Sequence, residues 1–210
     1  MGSGKFITLE GGEGAGKSTL IGGLKAHLAN AGYNVVTTRE PGGTQGAEAI
    51  RNLLVTGESE RWTPLSELCL FYAAREDHLQ RLIRPALARN CVVLCDRFAD
   101  STRAYQGQAG GAGRAAVEAL DALIVRETQP DFTLIVDIDP QIGLARAAAR
   151  RGVEDRFEGK ALAFHMALRA AYLEIAAEFQ SRCVVLDGSL PAHRLLEAAW
   201  CAIEPRLGAR

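Results

Sequence analysis

Between an apolar run, Phe6-Ile7-Thr8-Leu9, and a helical pattern over residues 17–31 lies the octet Gly11-Gly-Glu-Gly-Ala-Gly-Lys-Ser18. No other feature restricts the fold as strongly. The octet satisfies G-x-x-x-x-G-K-[ST], a pattern that works only when a strand enters it and a helix leaves it. Its glycines let backbone N–H groups curl around phosphate oxygens, and the helix N-terminus adds the positive end of a dipole. In that arrangement Gly11, Gly12, Glu13, Gly14, Ala15, Gly16, Lys17, Ser18 and Thr19 surround a polyphosphate. Lys17 supplies positive charge, and Ser18 offers an oxygen to a divalent cation.

A strand committed in this way needs parallel neighbours, and the chain provides them. Val35-Val-Thr-Thr38, Val92-Val-Leu-Cys95, Leu134-Ile-Val136 and Val184-Val-Leu186 are short apolar runs separated by longer helical patterns. Together they predict an α/β fold of the P-loop NTPase type, with a five-stranded parallel sheet and helices on both faces. Gly32 should end the first helix. Thr63-Pro64 should open another as N-cap and first residue, with Leu65, Leu68, Phe71 and Tyr72 on its apolar side, and Pro85 should divide it. Two long helices are expected over 160–181 and 191–207. Residues 107–113, with four glycines among seven, read as a mobile loop. No repeat or linker interrupts the pattern, so residues 1–210 are expected to form one domain.

Composition narrows the partner. A formal net charge of -1 argues against a basic nucleic-acid surface or a polybasic membrane anchor, which favours a small molecule. No apolar stretch reaches the roughly 20 residues of a membrane span, and the N-terminus lacks a signal-peptide core, so the cytoplasm is the expected compartment. Cys69, Cys91, Cys95, Cys183 and Cys201 are odd in number and lack C-x-x-C spacing. Reduced, buried thiols are the reading.

A phosphate loop alone admits switches, motors, partitioning ATPases and small-molecule kinases. The guanine-reading Asn-Lys-x-Asp segment is absent from the sequence, which counts against a GTPase. The third strand ends in Asp96-Arg97, bringing a carboxylate to the sheet edge beside the loop, where Asp96 and Ser18 could hold Mg²⁺. Arg39 ends the second strand at the same edge. Two arginines there suit bidentate recognition of an acceptor phosphate. Such an acceptor is already ionised near neutrality, so no base is required. His27, His78, His165 and His193 occur in no motif and read as surface or packing residues. Arg146, Arg150, Arg151 and Arg156 cluster with Glu154, Asp155 and Glu158. That pattern fits either a solvated helix face or, beside a phosphate loop, a short lid over about 146–158 that closes arginines onto a γ-phosphate.

These residues resemble bacterial thymidylate kinases. Glu13 to Ser18, Thr38-Arg-Glu-Pro-Gly-Gly-Thr44, Phe71-Tyr-Ala-Ala-Arg75, Asp96-Arg97 with Ser101-Thr102, and Tyr105-Gln-Gly107 stand in that family's order and spacing. The arginine-rich stretch and the helix after it extend the likeness over nearly the whole chain. The resemblance implies an ATP:dTMP phosphotransferase, Mg²⁺-dependent and homodimeric. It implies that Phe71 stacks on thymine, Arg75 hydrogen-bonds the base, and Ser101, Thr102 and Gln106 lie nearby. Tyr105 would pack beneath the sugar, Glu13 would reach the 3′-hydroxyl, and Arg39 and Arg97 would hold the dTMP phosphate. Lys17 and Arg97 would be catalytic. One branch of the family carries a catalytic arginine inside the loop and the other in the lid. Gly14 occupies the loop position here, so the resemblance assigns that role to Arg151, with Arg150 second. The loop over 187–191 is a positional candidate for adenine contact. A different nucleoside-monophosphate kinase, a deoxynucleoside kinase and a non-catalytic nucleotide switch remain as alternatives.

Overall fold

A computed structural model describes residues 4–58, 61–149 and 160–207. Its strands are β1 (Lys5–Glu10), β2 (Val35–Arg39), β3 (Val92–Asp96), β4 (Phe132–Asp137) and β5 (Cys183–Asp187). All pair in parallel, in the order β2-β3-β1-β4-β5. Helices α1 (Lys17–Asn30), α2 (Gln45–Val55), α3 (Pro64–His78), α4 (Arg84–Ala88) and α5 (Ala99–Thr102) precede the fourth strand, as does α6 (Arg114–Ile124). Helix α7 (Pro140–Ala148) follows β4, α8 (Leu162–Glu178) leads into β5, and α9 (Ala192–Ile203) is followed by a single 3-10 turn, Glu204–Arg206.

Successive strand residues face opposite sides, and both sides are covered. Ile7, Leu9, Leu94 and Leu134 pack with Leu20, Leu24 and Leu28 of α1 and Leu195, Ala199 and Ile203 of α9. On the other face Phe6, Val93 and Cys95 meet Leu68 and Tyr72 of α3 and Val117 of α6. Ile135 packs there against Leu168, Tyr172 and Ile175 of α8. Because β1 is central and pairs with β3 through Leu9↔Asp96, the loop after β1 and the residues after β3 emerge side by side.

Thr63 caps α3 by accepting from the Ser66 N–H at 3.3 Å, with Pro64 behind it, as its sequence predicts. The helix widens into a π-helical stretch over Leu79–Ile83 just before Pro85. Such widening accommodates a residue that cannot donate to the preceding turn. Two expectations need correction. Leu65 is 57% exposed rather than part of the core. Gly107 belongs to a second π-helical stretch, Arg103–Ala109, and is buried, so the turn is confined to residues 110–113. Val117 explains the glycine: a Cβ at 107 would lie 3.2 Å from its Cγ2. Of the cysteines, Cys91, Cys95 and Cys183 are buried, whereas Cys69 and Cys201 are exposed.

The phosphate loop itself packs backbone to backbone on α7. Gly14 has φ +68°, and a Cβ there would fall 1.9 Å from the Gly143 carbonyl oxygen; one on Gly143 would fall 2.4 Å from that of Glu13. No side chain fits between loop and helix at this point.

Candidate active site

A cavity of about 360 Å³ opens at the C-terminal edge of the sheet, running from the loop to α3. Its first end is built from backbone. Lys17, at the start of α1, is buried, and its Nζ donates to the carbonyls of Gly11 (3.0 Å) and Gly12 (2.8 Å). Burial and then the neighbouring Arg97 charge push its ammonium down to about 8, against the carboxylates Asp96, Glu13 and Glu10. Ser18 Oγ donates to Asp96 Oδ2 at 3.0 Å. A hydroxyl beside a carboxylate is a hard-oxygen donor pair of the kind that shares a cation with phosphate oxygens.

Two arginines flank this end. Arg39, at the end of β2, is exposed and points its Nη2 at both carboxylate oxygens of Glu48 (3.2 and 3.1 Å). Arg97 follows β3 in the left-handed region, φ 70°, with its backbone N–H on the Leu9 carbonyl at 3.0 Å. That turn sends its guanidinium under the loop. Nη1 donates to the Gly11 carbonyl (2.9 Å), Tyr172 hydroxyl (3.1 Å) and Ser101 Oγ (3.3 Å), while Nη2 meets Glu13 Oε1 at 3.3 Å. Burial opposes its charge, and the surrounding phenols and carboxylates more than compensate.

Beneath the loop, Glu10 ends β1 fully buried. Its Oε1 accepts from the Phe98 N–H at 2.8 Å and its Oε2 from Ser101 Oγ at 2.5 Å. Burial, then the nearby Asp100 charge, raises its carboxyl from 4.5 to about 7. Glu10 therefore braces the Arg97-Phe98 turn that aims Arg97. Glu13 behaves oppositely. Burial works against its ionisation, yet His165, Arg97, Lys17 and the Tyr105 hydroxyl, 2.5 Å away, hold it well below the usual carboxylate range.

The second end is built from side chains. Phe71, half-buried, and Thr102 and Gln106, both buried, line the cavity with Arg75. Arg75 is 1% exposed, donating from Nε to Glu40 Oε2 and from Nη2 to Thr102 Oγ1, each at 2.8 Å. Tyr72 and Phe98 rings lie 4.7 and 5.0 Å from its guanidinium carbon. Gln106 Nε2 donates to Glu67 Oε1 at 3.0 Å. Three buried polar side-chain atoms among the described residues make no hydrogen bond: Arg75 Nη1, His165 Nε2 and Glu13 Oε2, the last lying 3.4 Å from His165 Nδ1.

The cavity thus brings together Lys17, Ser18, Arg39, Phe71, Arg75, Asp96, Arg97, Ser101, Thr102, Tyr105 and Gln106 from five separate stretches of sequence. A profile of the family described as Thymidylate kinase matches residues 9–198. The chain belongs to the thymidylate kinase family. It is 54% identical over 208 residues to a thymidylate kinase of Caulobacter vibrioides, covering 99% of this chain and 100% of that one. Identity with a thymidylate kinase of Bradyrhizobium diazoefficiens is 47% over 208 residues, covering 98% and 91%. The crystal structure of thymidylate kinase from Ehrlichia chaffeensis superposes with a TM-score of 0.80 at 31% identity, over 96% of this chain and 100% of that chain.

For this family member the sequence alone left several site residues unassigned. Glu40 stands inside the Thr38–Thr44 run, and His78 lies one helical turn beyond Arg75, yet neither was given a role. Both are buried, Glu40 at the cavity wall and His78 behind it with both ring nitrogens at polar partners, so His78 is neither surface nor simple packing. Glu10 carried a signal: a carboxylate ending an apolar strand has to be satisfied by something. His165 and Tyr172, one heptad apart on α8, reach Glu13 and Arg97 from a distant part of the chain. Arg146 donates to the Gly188 carbonyl at 2.9 Å, joining α7 to the loop after β5. Arg150, Arg151 and Arg156 lie outside the described residues.

Proposed function

We propose that this chain transfers the γ-phosphoryl group of ATP to dTMP, giving dTDP and ADP, with the triphosphate on the loop and the thymine against Phe71 and Arg75. The observation that carries this reading is the continuity of one cavity from Lys17 to Arg75, with Arg39 and Arg97 between the two ends. A phosphate-binding loop at one end and an unpartnered buried donor at the other fit two nucleotides meeting at their phosphates.

In the reaction an oxygen of the dTMP phosphate attacks the γ-phosphorus as the bond to the β-bridging oxygen breaks and ADP leaves. The attacking oxygen is already anionic near neutrality, so the protein has to offset repulsion rather than remove a proton. Lys17 and the loop N–H groups neutralise the β and γ oxygens. Arg97, braced by Glu10 and stacked on Tyr105, holds the acceptor phosphate with Arg39, which would exchange Glu48 for it. Ser18 and Asp96 would hold Mg²⁺, which supplies further neutralisation of the transferred group. Glu13, kept ionised, accepts from the sugar 3′-hydroxyl, and Tyr105 packs below the deoxyribose. A lid arginine, Arg151 ahead of Arg150, completes the charge.

The wider setting is part of the same reading. All described residues organise around a single sheet, which supports one domain over 1–210. A homodimer, which the family resemblance implies, belongs to it as well. Five free thiols suit a reducing cytoplasm. No described helix is long and apolar enough to cross a membrane.

ADP release measured with dTMP, dUMP, dCMP and thymidine as acceptors tests the assignment. Turnover is expected to be highest with dTMP and absent with thymidine. Acceptor-independent ADP release, or a preference for thymidine, would overturn it.

A further inference from the structure

Glu40 and His78 join the two cavity walls. Glu40 sits one residue beyond β2, and its backbone N–H donates to the Asp96 carbonyl at 2.9 Å, tying it to the centre of the sheet. Its carboxylate oxygens are divided between two partners on α3: Oε2 accepts from Arg75 Nε at 2.8 Å, and Oε1 from His78 Nδ1 at 3.1 Å. His78 is 0% exposed, and its Nε2 lies 2.7 Å from Thr38 Oγ1. One tautomer satisfies every group, with Nδ1–H donating to Glu40 and the Thr38 hydroxyl donating to Nε2. Gly43 covers this junction, since a Cβ there would fall 2.4 Å from Thr38 Oγ1 and 2.5 Å from His78 Nε2.

The consequence falls on Arg75. Its Nε is fixed by Glu40, its Nη2 by Thr102, and its plane by Tyr72 and Phe98. A guanidinium is planar and rigid, so fixing two nitrogens fixes the direction of the third. That third nitrogen, Nη1, is the buried donor without a partner. We propose that Glu40 and His78 are positioning residues that aim Arg75 Nη1 at the acceptor base. The chain Thr38–His78–Glu40–Arg75 then selects a pyrimidine presenting a carbonyl, rather than an amine, at that edge. A guanidinium only donates; an exocyclic amine placed opposite it leaves two donors facing each other in a dry site. The inference rests on Arg75 meeting the base, as proposed above.

The test uses the full chain and a graded series at position 78. Asn places an amide N–H near the Nδ1 position and keeps the donor to Glu40. Gln reaches toward the Nε2 position and keeps only the contact with Thr38. Ala keeps neither. His78→Ala and His78→Gln are expected to raise KM for dTMP about tenfold, the scale of one hydrogen bond to a charged group, with kcat and KM for ATP within about twofold. The preference for dTMP over dCMP should fall in the same two variants. His78→Asn should restore most of both. Imidazole ¹⁵N NMR of the unaltered protein should place the His78 proton on Nδ1.

Equal effects of Asn and Ala, parallel shifts in KM for dTMP and ATP, or a neutral imidazole protonated on Nε2 alone would each overturn the positioning role. Arg75→Lys, which keeps charge opposite Glu40 but removes the fork, separates the two levels. If it raises KM for dTMP while the His78 series does not, only the positioning role falls. If it leaves dTMP use unchanged, the assignment of Arg75 to the base falls as well.

Discussion

The two ends of the cavity solve the same problem, holding charge at a precise place, by different means. Arg97, between the two ends, is set by the Tyr172 and Ser101 hydroxyls and by Glu13, but nearer the phosphates Lys17 is held by the main-chain carbonyls of Gly11 and Gly12 and Arg39 by the partly exposed Glu48. Such contacts are easily exchanged for phosphate oxygens. At the base end Arg75 is held by a buried carboxylate, a buried hydroxyl and two aromatic faces, and exchanges none of them. The difference teaches that one end is built to be rearranged by a polyanion and the other to present a fixed donor. Loss of a group at the first end should therefore appear in turnover, and at the second in acceptor affinity.

The largest effect expected is at the proposed lid. Arg151→Ala should lower kcat about 10³-fold, the lower range for a lost arginine finger, with KM for dTMP little changed and Arg150→Ala milder. Steady-state kinetics on the two single variants and the double variant would break the proposed division of labour if all kept near-normal kcat. Lys17→Ala comes next. It should reduce kcat by at least about 10²-fold, as loss of a preorganised charge in a phosphoryl site does, while circular dichroism shows an intact fold. Retention of more than a tenth of wild-type turnover would remove Lys17 from the charge-neutralising role.

At the base end the expected change is smaller and of another kind. Arg75→Lys should raise KM for dTMP about tenfold or more and leave KM for ATP unaltered. A matched loss for both nucleotides would erase the contrast between the two ends.

The smallest effect concerns what lies under the phosphate end. Glu10 holds a proton in the folded state up to about pH 7, against 4.5 for an ordinary glutamate. Its contribution to stability is thus fully present below about pH 4.5 and is lost as pH rises through 7, to a total of up to about 3 kcal/mol. Glu10→Gln cannot lose a proton, so its unfolding free energy relative to wild type should rise between pH 5 and pH 8. Denaturant titrations at pH 5, 6, 7 and 8 check the slope. Parallel curves for the two proteins would show that Glu10 does not titrate in this window.

The same contrast explains what could be read from the sequence. The five strands and the phosphate loop were legible because their signals are local: apolar runs bounded by helical periods, and glycines beside a lysine. Asp96 and Arg97 followed from the sheet edge at which β3 must end. Thr38–His78 and Glu40–His78 were not legible, because they join residues 40 and 38 positions apart through side-chain geometry that no period encodes. Tyr172 reaches Arg97 across 75 positions for the same reason. Gly107 was misread because a glycine admitted for close packing on Val117 looks, in sequence, like one admitted for freedom of the backbone.

The contact of Gly14 with Gly143 limits how such a chain can be redesigned. An arginine grafted at position 14 would bring its Cβ to 1.9 Å from a main-chain oxygen of α7, an atom that cannot rotate aside. Shortening the residue on α7 gives no relief, because Gly143 already carries no side chain. A route from this chain to one with a loop-borne arginine therefore has to pass through displacement of main chain, in the loop or in α7. The two arrangements are separated by a backbone barrier, and no single point substitution bridges them.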